Sequence, residues 1–162
     1  MAVLLALALP PAWAHGDMHQ KNFDPANIEQ KKFGMQGDPL KVSKTIGLVM
    51  SDNMRFTPSS ITVTQGATIR FVVVNDGKMQ HELVIGTMRE LQEHAELMKK
   101  FPGMEHDEPH MVHAKPGKSE PLVWTFNKSG EFDFACLIAG HFNAGMTGKI
   151  KVVAKGGHAH ND

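Results

Sequence analysis

The chain has a single cysteine, Cys136, and no tyrosine among its 162 residues. One thiol cannot close a disulfide within the chain, so no covalent framework supports the fold. Net charge is missing as well: 17 Lys and Arg balance 17 Asp and Glu. A general nucleic-acid binder needs a basic surface, which this balance argues against. Long apolar runs are also lacking. The run from Ala2 to Leu9 has eight residues, too few to span a bilayer.

What is present fits one domain. Hydrophobic residues make up 41% of the chain. With glycine added they supply about half, the ordinary share for a globular protein. The unusual content is 11 Met and 10 His. Thioethers and imidazoles are soft or borderline metal ligands, and few other roles call for both in a polar chain.

The N-terminus reads as an export signal over 1–14. Pro10 and Pro11 end the apolar run, and Ala12-Trp13-Ala14 has the small-x-small form of a signal-peptidase site. No Lys or Arg precedes the run, which departs from the usual charged start. Cleavage would make His15 the first residue and place the protein outside the cytoplasm, with no membrane segment left. There an unpaired thiol is a liability unless something occupies it, and a metal would do so. A buried inert thiol or an intermolecular disulfide are the bland alternatives.

Residues 15–40 are polar and turn-rich and read as a flexible or loosely docked arm carrying His15, Met18 and His19. From 41 to 154 short strands alternate with Gly-rich turns, the pattern of a β-sandwich or barrel. Leu122–Phe126 and Glu131–Cys136 read as a hairpin-like pair around Lys128-Ser129-Gly130. Residues 87–113 form an insert. Thr87-Met88-Arg89-Glu90 is a capping box, Leu91, Ala95 and Met98 follow on one helical face, and Phe101-Pro102-Gly103 stops the run. A tail at 155–162 carries His158 and His160.

The strongest signal is Cys136-Leu-Ile-Ala-Gly-His141-Phe-Asn-Ala-Gly-Met146, with Cys, His and Met spaced by five on a loop between strands. His81, opening a strand after Asp76-Gly77, is the best upstream imidazole. Two imidazoles and a thiolate with a weak axial thioether make a type 1 copper site. A Cys-His hydrolase fits poorly, since nothing marks an oxyanion hole or a third orienting group. Zinc fits poorly because a thioether is a poor zinc ligand.

These segments resemble the cupredoxins, the type 1 copper proteins. The similarity runs from about Phe56 to Val153. It is carried by Phe56-Thr-Pro-Ser-Ser-Ile-Thr-Val-Thr-Gln-Gly-Ala-Thr-Ile-Arg-Phe71, by His81-Glu-Leu-Val-Ile-Gly86, by Pro116-Gly117, and by Gly130-Glu-Phe-Asp-Phe-Ala-Cys136 running into the ligand loop. The resemblance implies an all-β Greek-key sandwich with a short helix-bearing insert. It puts the copper ligands on His81, Cys136, His141 and Met146. Several cupredoxins have Asn after the first His; here Glu82 stands in that place. A copper A centre is excluded, because it needs two cysteines.

The His and Met content is similar to that of bacterial periplasmic copper-tolerance cupredoxins. The expected role is copper handling by sequestration, transfer or Cu(I) oxidation, with copper ions and a redox or copper-transfer protein as partners. The alternatives are an electron carrier serving a cytochrome or a copper reductase, and a metallochaperone or storage module without redox turnover. A substrate-converting enzyme is a distant third. Accessory copper is expected at Met104, His106, His110, Met111 and His113, and at His15, Met18, His19, His158 and His160. His94, beside Leu91 and Met98, reads as a packed or surface residue. Leu137, Ile138, Ala139, Phe142 and Ala144 are expected to form an apolar shell round the metal.

Overall fold

The computed structural model describes residues 21–104 and 106–156. The expected signal segment, His15, Met18, His19, His158 and His160 lie outside the described residues. Two sheets face each other across the core. Their strands in chain order are β1 (Gln30–Lys31), β2 (Gly34–Gln36), β3 (Lys44–Ser51), β4 (Arg55–Thr57), β5 (Ser60–Thr64), β6 (Ala67–Asn75), β7 (His81–Gly86), β8 (Met111–Ala114), β9 (Ser119–Phe126), β10 (Gly130–Ala135) and β11 (Thr147–Val153). One sheet runs β1-β2-β9-β6-β3-β4 and the other β5-β11-β10-β7-β8. The expected all-β sandwich with a helix-bearing insert is what forms. Among the described residues no helix is long and apolar enough to cross a membrane.

Alternation builds the core. In β5 Ile61 and Val63 are buried while their neighbours are exposed, and β11 does the same with Ile150 and Val152. These side chains meet Phe71, Trp124, Phe126 and Phe134 from both sheets. Strand β7 breaks the rule: all six of its residues are buried. The cause is α1 (Met88–Lys100), which lays Leu91, Ala95 and Met98 on the outer face of the second sheet against Val84, Met111, Ala135 and Leu137. Its capping box is present as the sequence indicates. Thr87 accepts from the Glu90 backbone, and the Glu90 carboxylate accepts from the Thr87 N–H at 3.0 Å.

Two expectations need correction. β9 and β10 do not pair as a hairpin; they lie in different sheets, and Gly130, at φ +142°, carries the chain across the sandwich. A glycine turn between apolar runs looks the same in sequence whether the chain returns to its own sheet or crosses to the other. The second correction concerns the arm. Residues Gln30–Gln36 are part of the first sheet, with Met35 and Gln36 paired to Thr125 and Trp124. Phe33 is 2% exposed. It stacks on Trp124 at 5.5 Å between centroids, and its carbonyl accepts from the Trp124 indole N–H at 3.0 Å. One large aromatic side chain, buried against another, holds this segment down. Phe33→Ala is therefore expected to cost about 3–5 kcal/mol in urea unfolding. A loss below about 1 kcal/mol would mean that the segment does not contribute to the fold.

Candidate metal centre

At one end of the sandwich three donors meet. His81 begins β7, Cys136 follows β10, and β7 pairs with β10 antiparallel through Val84 and Ala135. Cys136 continues the inward alternation of Phe132 and Phe134, and His81 that of Leu83 and Ile85. The fold therefore brings both to the same face. Cys136 Sγ lies 3.3 Å from His141 Nδ1 and 4.0 Å from His81 Nδ1. The ligand atoms of these three residues all lie within 4.8 Å of one another.

The loop from 136 to 146 is closed by its own backbone. Cys136 N–H donates to the Met146 carbonyl, and Met146 N–H donates to that of His141, both at 3.1 Å. Met146 is fully buried within the core cluster that also holds Cys136. Gly140 and Gly145, both at φ +90°, make the turns. Arg55 clamps the loop from outside by donating to the Ala144 carbonyl at 2.9 Å.

His81 is oriented by Asp52, a residue the sequence reading did not single out. Asp52 Oδ1 lies 3.0 Å from His81 Nε2. The carboxylate cannot donate, so Nε2 carries the proton and the Nδ1 lone pair faces the thiol. Asp52 is itself fixed by the backbone N–H groups of Lys78 and Met79, and the first of these is the main reason its pKa lies below the usual value.

Glu82, one residue on, points to the opposite face and is 1% exposed. Its Oε1 accepts from Leu137 N–H at 2.8 Å, directly after the cysteine. Its Oε2 lies 3.0 Å from His113 Nδ1. That contact is a charge pair rather than a well-aligned hydrogen bond, and Glu82 is the main cause that raises the pKa of His113.

A buried thiol and two imidazoles converge here, one imidazole from β7 and the other two groups from the loop, and the buried Met146 shares the core cluster with Cys136; a thioether beside such a set suits copper better than zinc. The model of the copper binding proteins, plastocyanin/azurin family, matches residues 43–153. The chain belongs to that family. Among curated relatives it is 45% identical over 139 residues to the copper-resistant cuproprotein CopI of Rubrivivax gelatinosus, covering 86% of this chain and 81% of that protein. It is 34% identical to the protein of that name from Vibrio cholerae, covering 85% and 83%. Dithionite-reduced auracyanin of Roseiflexus castenholzii shares the fold, with a TM-score of 0.60 and 24% identity over 69% of this chain and 98% of that one.

In this plastocyanin/azurin-family protein burial pushes the Cys136 thiol up to about 12, with the Glu82 charge adding to the effect. The thiol keeps its proton at neutral pH until a cation displaces it. His141 moves the other way: burial first, then His81, lower its pKa, which keeps its lone pair free.

The expected apolar shell is only partly found. Leu137 alternates outward from Cys136 and joins the helix-side cluster instead. Phe142, half-buried, packs against that same cluster; Ile138 packs against the core cluster that holds Cys136, and Ala139 and Ala144 are exposed.

The five accessory candidates of the insert do not form one site. Met111 is 0% exposed and packs beneath α1, because it belongs to β8 and not to a loop. His113 is committed through both nitrogens, to Glu82 and to the His106 carbonyl at 3.1 Å. His110 packs against Phe33 and Trp124 at 5.4 and 6.1 Å. Met104 is exposed. His106 instead faces His94, with ring centroids 4.5 Å apart.

His110 gives a pH prediction. Burial, helped by Lys31 and Lys21, lowers its pKa from 6.5 to about 4. The unfolded chain then binds the proton first, so stability falls as pH drops from about 6.5 towards 4 and levels off below. A shift of that size corresponds to roughly 3 kcal/mol. Urea unfolding of the wild type and His110→Phe across this range checks it: the variant should lose that part of the slope.

Proposed function

We propose that His81, Cys136, His141 and Met146 hold a type 1 copper and that the protein protects the cell from copper in the periplasm. The convergence of the Cys136 thiol with two imidazole Nδ1 atoms carries this reading. The names of the CopI relatives support copper resistance as the setting. Copper, when bound, supplies one-electron chemistry between its cuprous and cupric forms.

The chain's own residues do the rest. Asp52 holds the proton of His81 on Nε2. Glu82 and Arg55 fix the two ends of the ligand loop, so its donors are set before any ion arrives. The buried Cys136 and Met146 keep water from the sulfur side, while His141 is half-buried, as is Ile138, which packs against the cluster of Cys136 and Met146. That edge is where a redox or copper-transfer protein would dock. The terminal residues His15, Met18, His19, His158 and His160 would gather further ions, and the 1–14 segment would direct export.

The test is copper sensitivity of a strain lacking the gene, complemented in turn by wild type and by Cys136→Ser. Wild type should restore growth on copper and Cys136→Ser should not. Equal protection by both would refute a role for the thiolate centre in tolerance. Fractionation should recover the protein in the periplasm with His15 at its N-terminus.

A further inference from the structure

We infer that Asp52 is a positioning residue that sets the oxidation-state preference of the centre, favouring cupric over cuprous copper through His81; this rests on the type 1 reading above. Asp52 stands in the turn between β3 and β4, and β3 runs parallel to β6 with Met50 opposite Asn75. That pairing lays the turn against residues 76–80, which carry the chain from β6 in the first sheet to β7 in the second. The crossing is held from inside by Asn75, which is fully buried. Its Nδ2 donates to the Met79 and Ala114 carbonyls, both at 2.8 Å, and its Oδ1 accepts from the Gly77 N–H at 2.9 Å. Both polar atoms of the amide are engaged, so the loop is fixed in one shape.

Gly77 lets this loop close on the carboxylate. A Cβ there would collide with Oδ1 and Cγ of Asp52. The close approach brings the Lys78 and Met79 N–H groups to Asp52, at 2.8 and 3.3 Å, and leaves Oδ1 aimed at His81 Nε2. His81 is the carboxylate's only ion-pair partner among the described residues, so no Lys or Arg side chain is paired with its charge. A carboxylate behind a ligating imidazole makes that imidazole a stronger donor. Its negative charge also stabilises the doubly charged cupric ion more than the singly charged cuprous one. Holding the ring in place serves both ions alike; the charge separates them.

The test compares the full chain with Asp52→Asn and Gly77→Ala. Long-range 1H–15N NMR of the copper-free proteins reads the His81 tautomer, and chelator competition gives the Cu(I) and Cu(II) affinities. Asp52→Asn keeps an oxygen for His81 and loses the charge. Its Nε2–H tautomer should persist while the ratio of Cu(II) to Cu(I) affinity falls about tenfold, a rise of about 59 mV in reduction potential. Gly77→Ala keeps the charge but displaces it. Its His81 should show mixed tautomers, and the ratio should fall as well. An unchanged ratio in Asp52→Asn, with both affinities equal to wild type or lowered together, overturns the assignment; should that variant fold poorly, an unchanged ratio in Gly77→Ala does so. A wild type that shows no thiolate band with Cu(II) would instead refute the type 1 reading itself.

Discussion

Cys136→Ser is expected to abolish the visible thiolate-to-copper charge-transfer band of the cupric protein while leaving the apo fold in place. The side chain is 0% exposed and sits within 3.3 Å of His141 Nδ1. A serine hydroxyl is close in size and has an imidazole nitrogen to bond, so the unloaded protein should lose no more than about 1 kcal/mol. The loss of the band should be complete, because no other described thiol exists to replace Cys136. Titration with Cu(II) followed by absorption, with urea unfolding of the apo form, separates the two effects. A band that survives in the serine variant would remove the thiol from the metal's ligands.

Glu82→Leu should be the most destabilising single change near the centre. It leaves the Leu137 N–H without its buried acceptor and the His113 charge without its partner. Breaking a buried pair from one side costs roughly 3–5 kcal/mol. Glu82→Gln keeps an acceptor for Leu137 and loses only the charge, so its cost should be clearly smaller. Both substitutions remove the negative charge that helps raise the Cys136 thiol pKa. The proton released on copper loading should therefore leave at lower pH in either variant. Equal stability of Glu82→Leu and wild type would show that this carboxylate does not brace the loop.

Much of the centre could be read from the chain because its chemistry is local. Cys136, His141 and Met146 share one short loop, and their spacing marks them as candidate donors; the structure brings Cys136 and His141 together with His81. His81 could be chosen because it opens a strand. The capping box and the Leu91, Ala95 and Met98 face were equally plain, since helix signals are short-range. What escaped notice is held by distant contacts. Asp52 reaches His81 across 29 positions, and Phe33 meets Trp124 across 91. Nothing in the composition of a turn or a polar arm announces such a partner. Glu82 stood out only as a departure from asparagine. Its function depends on His113, which the β7–β8 pairing sets opposite it.

X-ray absorption at the copper edge tests the account most directly, using the full chain loaded with one equivalent of Cu(II). The account predicts one strongly bound sulfur and two imidazoles round the ion, with the sulfur contribution lost in Cys136→Ser. A copper surrounded only by nitrogen and oxygen, the same in both proteins, would contradict it.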